Sequence, residues 1–431
     1  MTDTLVVLLA SFLGLMLLGL PVAWAMMASV LVWVAYGDKW RFLPVAAERI
    51  YQGMDVFVLM AIPLFILAGN LMSVGGISQR LVDLAKAMVG GVQGGLAATC
   101  VLTCMMFAAV SGSSVATTFA IGAILIPAMV KHGYPKPMAA SVQASSAELG
   151  VLIPPSIPLI LYGVSTDTSI GQLFLAGLGP GLLVAGALMA LVLILCRVRG
   201  IGAQDGADRP ALGRALLRAL PALLLPVVIL GGIYSGIFTP TEASAVAVGV
   251  ALLVGMVMYR ELKLRHLPEV LKKTVLATSA IMIIISAAAL FSFLVARSGL
   301  PNEIAAWFKE VFESRFAFLL AVNLLLLIVG MFIETSAAIL VLAPILTPIA
   351  IAYGVDPVHF GLIVVMNLAL GMITPPLGVN LFAACAVARI PVERIIPQLL
   401  WFVLTVFGCL MIVTYVPAVS LWPMQTIMGI R

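Results

Sequence analysis

Two short polar segments interrupt long apolar stretches in this sequence. Residues 111–114 read SGSS, and residues 334–336 read ETS. If a helix begins at such a segment, the amides of its first turn have no partner within the helix and carry partial positive charge. We expect Ser113 or Ser114, and Thr335 or Ser336, to cap these helices. Hydroxyls and free amides together indicate ligand binding.

The two polar segments belong to a repeated unit. When the sequence is shifted against itself by 221 positions, Gly150 falls on Gly371, and the Pro-Pro pair at 154–155 falls on the pair at 375–376. Each copy contains an apolar run, the polar segment, a second apolar run, and a third run broken by Gly and the Pro-Pro pair. One structural unit is therefore used twice.

Each Pro-Pro pair is expected to break a helix inside an apolar run. Proline has no amide donor, so carbonyl oxygens near residues 150–152 and 371–373 are expected to lack partners. Lipid tolerates such backbone only where protein, water or a ligand satisfies it. Carbonyl and hydroxyl oxygens suit a hard monovalent cation such as Na+. We therefore expect a site that holds cations on carbonyl oxygens and a carboxylate on hydroxyls and amides, without a catalytic side chain.

The expected ligand contacts lie at the polar segments and the breaks. For Na+ they are Ser113, Ser114, Gly150, Leu152, Pro155, Thr335, Ser336, Gly371, Thr374 and Pro376. For the organic ligand they are Ser114, Thr117, Pro154, Ser156, Thr335, Asn380 and Glu148. Asn380 is included because its amide offers an acceptor and donors after the second break. Glu148 has two interpretations, because a charge at this depth either faces a cavity or partner or belongs to simple packing.

Other polar residues in the apolar runs have ordinary structural explanations. The hydroxyls of Ser141, Thr278 and Ser286 are expected to bond to their own helices. Glu242 follows a turn at a helix start, where a carboxylate is a common cap. Asp167 is expected in a solvated loop. These residues are not assigned to the site.

Composition places the chain in a membrane. Of its 431 residues, 63% are hydrophobic and 10% are charged, and the mean hydropathy is +1.21. Such a chain must place most of its helices in lipid. The formal net charge of +5 does not indicate nucleic-acid binding, because Lys and Arg lie between the apolar runs, where membrane topology places them. The expected partner of the apolar helices is the lipid bilayer.

Several chemical classes are disfavoured by the same residues. The five cysteines lie in or at the ends of apolar runs without metal-ligand spacing, so we expect neither a disulfide framework nor a transition metal. A hydrolase with Ser113 or Ser114 as nucleophile would need a nearby base, and the three histidines lie near helix ends. We expect no enzyme and no cofactor. A channel is disfavoured because two opposed hairpins would close from alternate sides.

The remaining segments predict a frame around the repeats. Residues 4–36 are expected to form two retained membrane helices divided at Gly19-Leu20-Pro21. Mixed charged and apolar residues in 38–55, 77–90 and 301–315 predict helices at the membrane surface. The two segments that precede the repeats act either as solvated connectors or as levers that let the repeats move.

Basic segments give a topology. The segments 197–218 and 260–273 carry five Lys or Arg residues each and are expected in the cytoplasm. Counting passes from them, the hairpin at 92–131 enters from the cytoplasm, and the hairpin at 317–353 enters from the opposite side. Inverted repeats with broken helices are typical of secondary transporters.

The predicted fold class is an all-α polytopic membrane protein with two inverted repeats, each a re-entrant hairpin plus a broken helix, in an elevator-type arrangement. The predicted parts are N-terminal scaffold helices and a first arm at 1–91, transport repeat 1 at 92–172, scaffold helices at 173–300, a second arm at 301–316, transport repeat 2 at 317–396, and a C-terminal helix at 397–431.

Four stretches make the chain resemble a known family. They are residues 112–117 (GSSVAT), 150–158 (GVLIPPSIP), 236–243 (GIFTPTEA) and 371–378 (GMITPPLG). With them, the whole chain resembles the large membrane subunit of the tripartite ATP-independent periplasmic (TRAP) transporters, within the wider ion-transporter superfamily. Glu148 departs from the small residue expected before the first break.

The resemblance implies a function and partners. It implies an elevator mechanism, Na+ coupling, a periplasmic binding protein that delivers a small organic acid (a C4-dicarboxylate, keto acid or sugar acid), and a small four-helix membrane subunit. No extra N-terminal bundle is visible, so that subunit is expected to be a separate chain. The expected location is the bacterial inner membrane. The alternative is an H+-coupled or binding-protein-independent organic anion permease.

Overall fold

The computed structural model describes residues 2–203 and 209–428, and within them it contains helices and no strand. Residue 1, residues 204–208 of the predicted basic segment 197–218, and residues 429–431 of the predicted C-terminal part lie outside the described residues. The helices are α1 (Thr2–Leu17), α2 (Val22–Tyr36), α3 (Leu43–Met54), α4 (Ala61–Val74), α5 (Ile77–Val89), α6 (Gly95–Ser111), α7 (Ser114–Lys131), α8 (Lys136–Ala147), α9 (Leu149–Leu152), α10 (Ile157–Thr166), α11 (Ile170–Arg199), α12 (Leu212–Tyr234), α13 (Pro240–Leu252), α14 (Leu267–Arg297), α15 (Leu300–Val311), α16 (Arg315–Phe332), α17 (Thr335–Ala352), α18 (Pro357–Met372), α19 (Val379–Ala388), α20 (Ile396–Tyr415) and α21 (Ala418–Met428).

Many of the helices have the length and composition of membrane-spanning segments. In the described residues, nine helical spans are long and apolar enough to cross a membrane. Helices satisfy their backbone groups internally, which is what a hydrocarbon environment requires. Large apolar side chains remain exposed on several of these spans, for example Leu217 at 70% and Leu324 at 60%. The predicted all-α polytopic class is confirmed.

Local breaks fall where glycine and proline place them. Helix α1 ends at Leu17 and α2 begins at Val22, with Gly19 at a φ of 87° between them. Glycine adopts this left-handed conformation without steric cost, and Pro21 is the N-cap residue of the next helix. The predicted division of residues 4–36 is confirmed. The predicted surface segments form α3, α5 and α15.

Each repeat consists of a helical hairpin followed by a broken helix. The first hairpin is α6 and α7, and the second is α16 and α17. The first broken helix continues from α8 and α9 into α10 with a 40° bend, and the second continues from α18 into α19. Both Pro-Pro bonds are cis. Because α9 and α18 end before the Pro-Pro pairs and α10 and α19 begin after them, the predicted helix breaks are present in both copies.

Helices of each repeat pack against helices of the other repeat. Helix α7 packs against α8 of its own repeat and α19 of the other, whereas α17 packs against α18 of its own repeat and α10 of the other. Each returning hairpin helix thus contacts the first half of its own broken helix and the second half of its counterpart. The repeats pack directly on each other, and their buried side chains belong to one core that continues into the surrounding helices. Their opposite orientation in the membrane stays a prediction.

A second group of helices surrounds the two repeats. The 31-residue helix α14 packs against α2, α3 and α4 and also against α17 of the second repeat. Helix α13 packs on α4, and α12 packs on α5 and α13. Helix α14 therefore contacts both the surrounding helices and the repeated unit, and so do α5 and α11, which pack on α6. The division into a moving domain and a scaffold stays a prediction.

Candidate ligand-binding site

The tips of both hairpins meet at one cavity of about 90 Å³, called here the tip cavity. Its lining comes from the two tips, the first break, the end of α18 and one residue of α14. These residues are Gly112, Ser113, Ser114, Val115, Val151, Ile157, Pro158, Ile281, Glu334, Thr335, Ser336 and Met372. Segments more than 200 positions apart in the sequence thus share one small space.

The first tip is capped as the sequence predicts. Ser113 is the N-cap of α7, and its Oγ accepts a hydrogen bond of 3.4 Å from the amide of Ala116. Gly112 precedes it with a φ of 62°, and its carbonyl oxygen accepts a 3.2 Å bond from the amide of Ile157. A Cβ at Gly112 would lie 2.9 Å from the carbonyl oxygen of Pro155. The tip therefore rests directly on the first break.

The second tip is capped differently from the prediction. Glu334, rather than Thr335 or Ser336, is the N-cap of α17. Its carboxylate accepts bonds from the amides of Ser336 at 2.8 Å and Ala337 at 3.2 Å, and from the Ser336 hydroxyl at 2.9 Å. The prediction was wrong because a carboxylate is a stronger acceptor for the positive end of a helix than a hydroxyl.

This difference makes the two tips electrically unequal. The carboxylate of Glu334 occupies amides that an anionic ligand would otherwise use, and it adds negative charge to the lining of the tip cavity. The first tip carries only a hydroxyl cap and keeps the positive end of α7 toward the cavity. An anion is therefore favoured at the first tip, and a cation is favoured beside Glu334.

Met372 contacts the hydroxyls of both tips. Its Sδ accepts a bond of 2.8 Å from Thr335 Oγ1 and lies 3.9 Å from Ser114 Oγ. Thr335 and Ser114 occupy equivalent positions of the two repeats, and both are almost fully buried. The sequence prediction missed Met372, since one methionine among apolar residues carries no signal of its own.

Some carbonyl oxygens at the breaks already accept hydrogen bonds from nearby residues. The carbonyl oxygen of Val151 accepts a 2.6 Å bond from Ser156 Oγ, and the carbonyl oxygen of Gly371 accepts a 2.9 Å bond from the amide of Thr374. The prediction that carbonyls in 150–152 and 371–373 lack partners is wrong for these two, because the chain after each break folds back on them. A carbonyl oxygen has a second lone pair, so both can still coordinate an ion.

Gly150 allows the first tip to approach the first broken helix. A Cβ at this position would lie 2.9 Å from both the carbonyl oxygen of Ser113 and Oγ1 of Thr117. Thr117 Oγ1 itself donates a 2.8 Å bond to the Ser113 carbonyl oxygen and lies 2.9 Å from Ser111 Oγ. Only glycine permits this contact without displacement.

Glu148 and Asn380 form a buried polar cluster outside the lining of the tip cavity. Asn380 Nδ2 donates to Glu148 Oε1 at 2.7 Å and to the carbonyl oxygen of Ala144 at 3.1 Å, while Thr118 Oγ1 donates to Asn380 Oδ1. The other carboxylate oxygen of Glu148 is buried and has no hydrogen-bond partner in the part of the chain that the structure describes. Both residues were predicted to contact ligand, and they contact each other.

The predicted contacts fall into two groups by position. Ser113, Ser114, Thr335 and Ser336 line the tip cavity. The others lie outside its lining: Gly150, Leu152, Pro154, Pro155, Ser156, Thr117, Glu148, Gly371, Thr374, Pro376 and Asn380. Their ligand roles stay predictions. Glu334, Met372 and Ile281 line the cavity and were not predicted; the position of Glu334, equivalent to Ser113 in the repeat, could have identified it as a cap.

The structural explanations for the remaining polar residues hold with one exception. Thr239 and Glu242 form a reciprocal capping box at the start of α13, as expected for Glu242. The hydroxyls of Ser141 and Ser286 bond to carbonyl oxygens of their own helices. Thr278 Oγ1 is shielded from solvent and has no hydrogen-bond partner among the described residues, so its expected bond within the helix is wrong.

The structure is that of an all-helical membrane protein in which both hairpin tips, the first helix break and the end of α18 line one small cavity. The solved structure of the YdaH transporter of Alcanivorax borkumensis shares this fold, with a TM-score of 0.66 over 90% of each chain and 18% identity. Residues 9–419 match the family described as Tripartite ATP-independent periplasmic transporter, DctM component. The chain belongs to this family.

Relatives place the chain among large permease subunits. It is 45% identical to the C4-dicarboxylate TRAP transporter large permease protein DctM of Pseudomonas aeruginosa, over 87% of this chain and 88% of that protein. It is 41% identical to the isethionate TRAP transporter permease protein DctMQ of Oleidesulfovibrio alaskensis, over 97% of this chain and 66% of that protein. The chain is therefore a transporter subunit and not an enzyme.

Proposed function

We propose that the chain is the transport subunit of a Na+-coupled importer of small organic acids in a bacterial inner membrane. A periplasmic binding protein delivers the acid, and a small four-helix membrane subunit, present as a separate chain, completes the complex. The relatives that carry C4-dicarboxylates and isethionate support a small carboxylate or sulfonate as the substrate.

The convergence of both tips on one cavity carries this proposal. The hydroxyl-capped end of α7 suits a carboxylate, and Glu334 beside Thr335 suits a cation. In this proposal, main-chain oxygens of the two breaks supply the remaining Na+ ligands. An organic anion and its Na+ ions would thus each meet groups of opposite charge in the tip cavity.

Coupling to Na+ reverses the electrical cost of import. Moving a dianion toward a negative interior costs about 2.3 kcal/mol per charge at 100 mV, or about 4.6 kcal/mol in total. More than two Na+ ions per dianion make the net transfer favourable. We expect two to three Na+ ions per substrate, with the larger number for a dianion.

Alternating access follows an elevator movement in this proposal. The packing of each repeat against the other makes them one unit. That unit slides against α14 and the surrounding helices. The helices α5 and α15, which precede the two repeats, act as the arms. The bound Na+ ions and organic acid move with this unit, so no continuous pore opens.

Uptake into proteoliposomes tests the coupling. The chain is reconstituted with its small membrane subunit, and uptake of radiolabelled succinate and isethionate is measured with and without the binding protein. We expect saturable uptake that requires the binding protein and stops when choline replaces external Na+. Uptake that persists unchanged in choline rejects Na+ coupling.

Proton coupling is the second candidate because of one observation. One carboxylate oxygen of Glu148, buried beside the first break and without a hydrogen-bond partner within residues 2–203 and 209–428, is a suitable place for a proton. A pH gradient imposed without Na+ separates the two mechanisms: uptake driven by the pH gradient, and lost in Glu148→Gln, supports H+ coupling.

A further inference from the structure

A second cavity of about 520 Å³ lies between the repeated unit and the surrounding helices. Its lining comes from α3, the loop after it, α10, α14 and α17. The residues include Arg49, Gln52, Ser165, Ser292, Phe293 and Leu340. Among the described residues that line it, Arg49 is the only one with a charge. The cavity is more than large enough for a small organic acid.

Three helices lead from the tip cavity to this second cavity. Helix α14 contributes Ile281 to the tip cavity and Ile285, Ala288, Ser292 and Ala296 to the second one. Spacings of three or four residues keep these side chains on one face of the helix. The distance from Ile281 to Ser292 along the axis is about 16 Å. Helices α10 and α17 also line both cavities.

Arg49 is held in place by the packing of α3 on α14. A Cβ at Gly53 would lie 2.3 Å from Cβ of Ala289, so the two helices are in close contact there. The guanidinium carbon of Arg49 lies 4.2 Å from the ring centre of Phe293. This arrangement fixes the charge at the cavity wall and limits its movement.

The guanidinium keeps unused capacity to bind an anion. Arg49 Nη1 donates a 3.0 Å bond to Gln52 Oε1, whose amide group donates to the exposed Glu48 at 2.7 Å. Arg49 Nε is shielded from solvent and has no hydrogen-bond partner among the described residues. An arginine fixed at the wall of this mainly apolar cavity is suited to a carboxylate or sulfonate, because a guanidinium offers several donors in one plane.

We propose that the second cavity is a vestibule in which Arg49 concentrates small carboxylates or sulfonates before they reach the tip cavity. Only the passage of anions from the vestibule to the tip cavity rests on the proposed function. The attraction of anions into the vestibule depends on Arg49 itself. Fixed charge in a cleft with low-dielectric walls raises the local concentration of the opposite charge. Glu48, on the exposed side of α3, opposes this effect only in part because solvent screens it.

The test labels a cysteine in the vestibule with charged reagents. Ser292→Cys is placed in the otherwise wild-type chain, whose five native cysteines are buried, and is expressed with the small subunit in membrane vesicles of either orientation. Modification rates are compared for a methanethiosulfonate with a sulfonate group and one with a trimethylammonium group. Ala296→Cys serves as a second reporter if Ser292→Cys does not fold.

Arg49→Gln is expected to lower the ratio of sulfonate to trimethylammonium rates about tenfold. Arg49→Lys should keep most of the ratio, because it keeps the charge. Arg41→Gln, which removes an exposed charge on the segment just before α3, should leave the ratio unchanged. An unchanged ratio in Arg49→Gln overturns the proposal. Protection of both reporters from both reagents also overturns it, because a lipid or another subunit would then fill the cavity.

Labelling separates this proposal from the proposed function. The ratio does not require transport, so a chain that fails to carry succinate or isethionate still reports on Arg49. If transport does occur, Arg49→Gln should raise KM several-fold with little change in kcat, because Arg49 recruits the anion and does not touch it in the tip cavity.

Discussion

Asn380 Nδ2 donates a 2.7 Å hydrogen bond to Glu148 Oε1 across 232 positions of sequence. Asn380 lies in α19, the second half of one broken helix, and Glu148 lies between α8 and α9, in the first half of the other. The same amide reaches the carbonyl oxygen of Ala144, and Thr118 completes its contacts. This bond therefore joins the two repeats next to both breaks.

Asn380→Ala is expected to destabilise the protein. The change leaves the acceptor of Glu148 and the hydroxyl of Thr118 unpaired in a buried environment, which costs about 1–3 kcal/mol. Thermal unfolding in detergent should show a clearly lower Tm. Gln79→Ala, which removes an exposed amide on α5, is the control and should change stability by less than about 0.5 kcal/mol. Equal Tm values for both variants would show that the cluster contributes nothing to stability.

Ser114→Ala and Thr335→Ala are expected to reduce Na+-driven uptake without a matching loss of expression. Both hydroxyls meet at Met372 in the tip cavity. A hydrogen bond to a charged group contributes about 1.5–3 kcal/mol, so initial rates at low substrate should fall about tenfold or more. Ser141→Ala is the control, since that hydroxyl bonds to its own helix. Wild-type kinetics in both tip variants would remove the tips from the mechanism.

Gly150→Ala is expected to push the first tip away from the first broken helix. The added methyl would lie 2.9 Å from the Ser113 carbonyl oxygen and from Thr117 Oγ1, and overpacking of this kind costs about 1–3 kcal/mol. Uptake and Tm should both fall. Gly186→Ala, on an open face of α11, is the matched control and should be neutral or slightly stabilising. A variant at Gly150 that transports normally would show that the tip moves freely.

Local features of this fold could be predicted from the sequence, whereas long-range contacts could not. Gly19 and the Pro-Pro pairs act through their own backbone geometry, so the helix division and both breaks were predicted. The choice of Glu334 over Thr335 as a cap depends on competing acceptors at one helix end, which spacing does not resolve. The pairing of Asn380 with Glu148 depends on how two distant helices pack, and the sequence marked each residue separately without indicating the contact.

Glu334 should determine how much Na+ the transporter needs. Glu334→Ser keeps a cap at the start of α17, as Ser113 does in the other repeat, but removes the carboxylate beside Thr335. We therefore expect stability close to wild type and a Na+ concentration for half-maximal uptake that rises about tenfold, since a charge-assisted contact of about 1.5 kcal/mol is lost.

The control for Glu334→Ser separates capping from ion binding. Ser314→Ala removes the cap of α16 and should lower stability by about 1 kcal/mol while leaving the Na+ dependence of uptake unchanged. Uptake as a function of Na+ concentration and thermal unfolding are measured on the same preparations. If Glu334→Ser shows the wild-type Na+ dependence, the carboxylate serves only to hold the helix, and the cation must bind to the main-chain oxygens of the breaks alone.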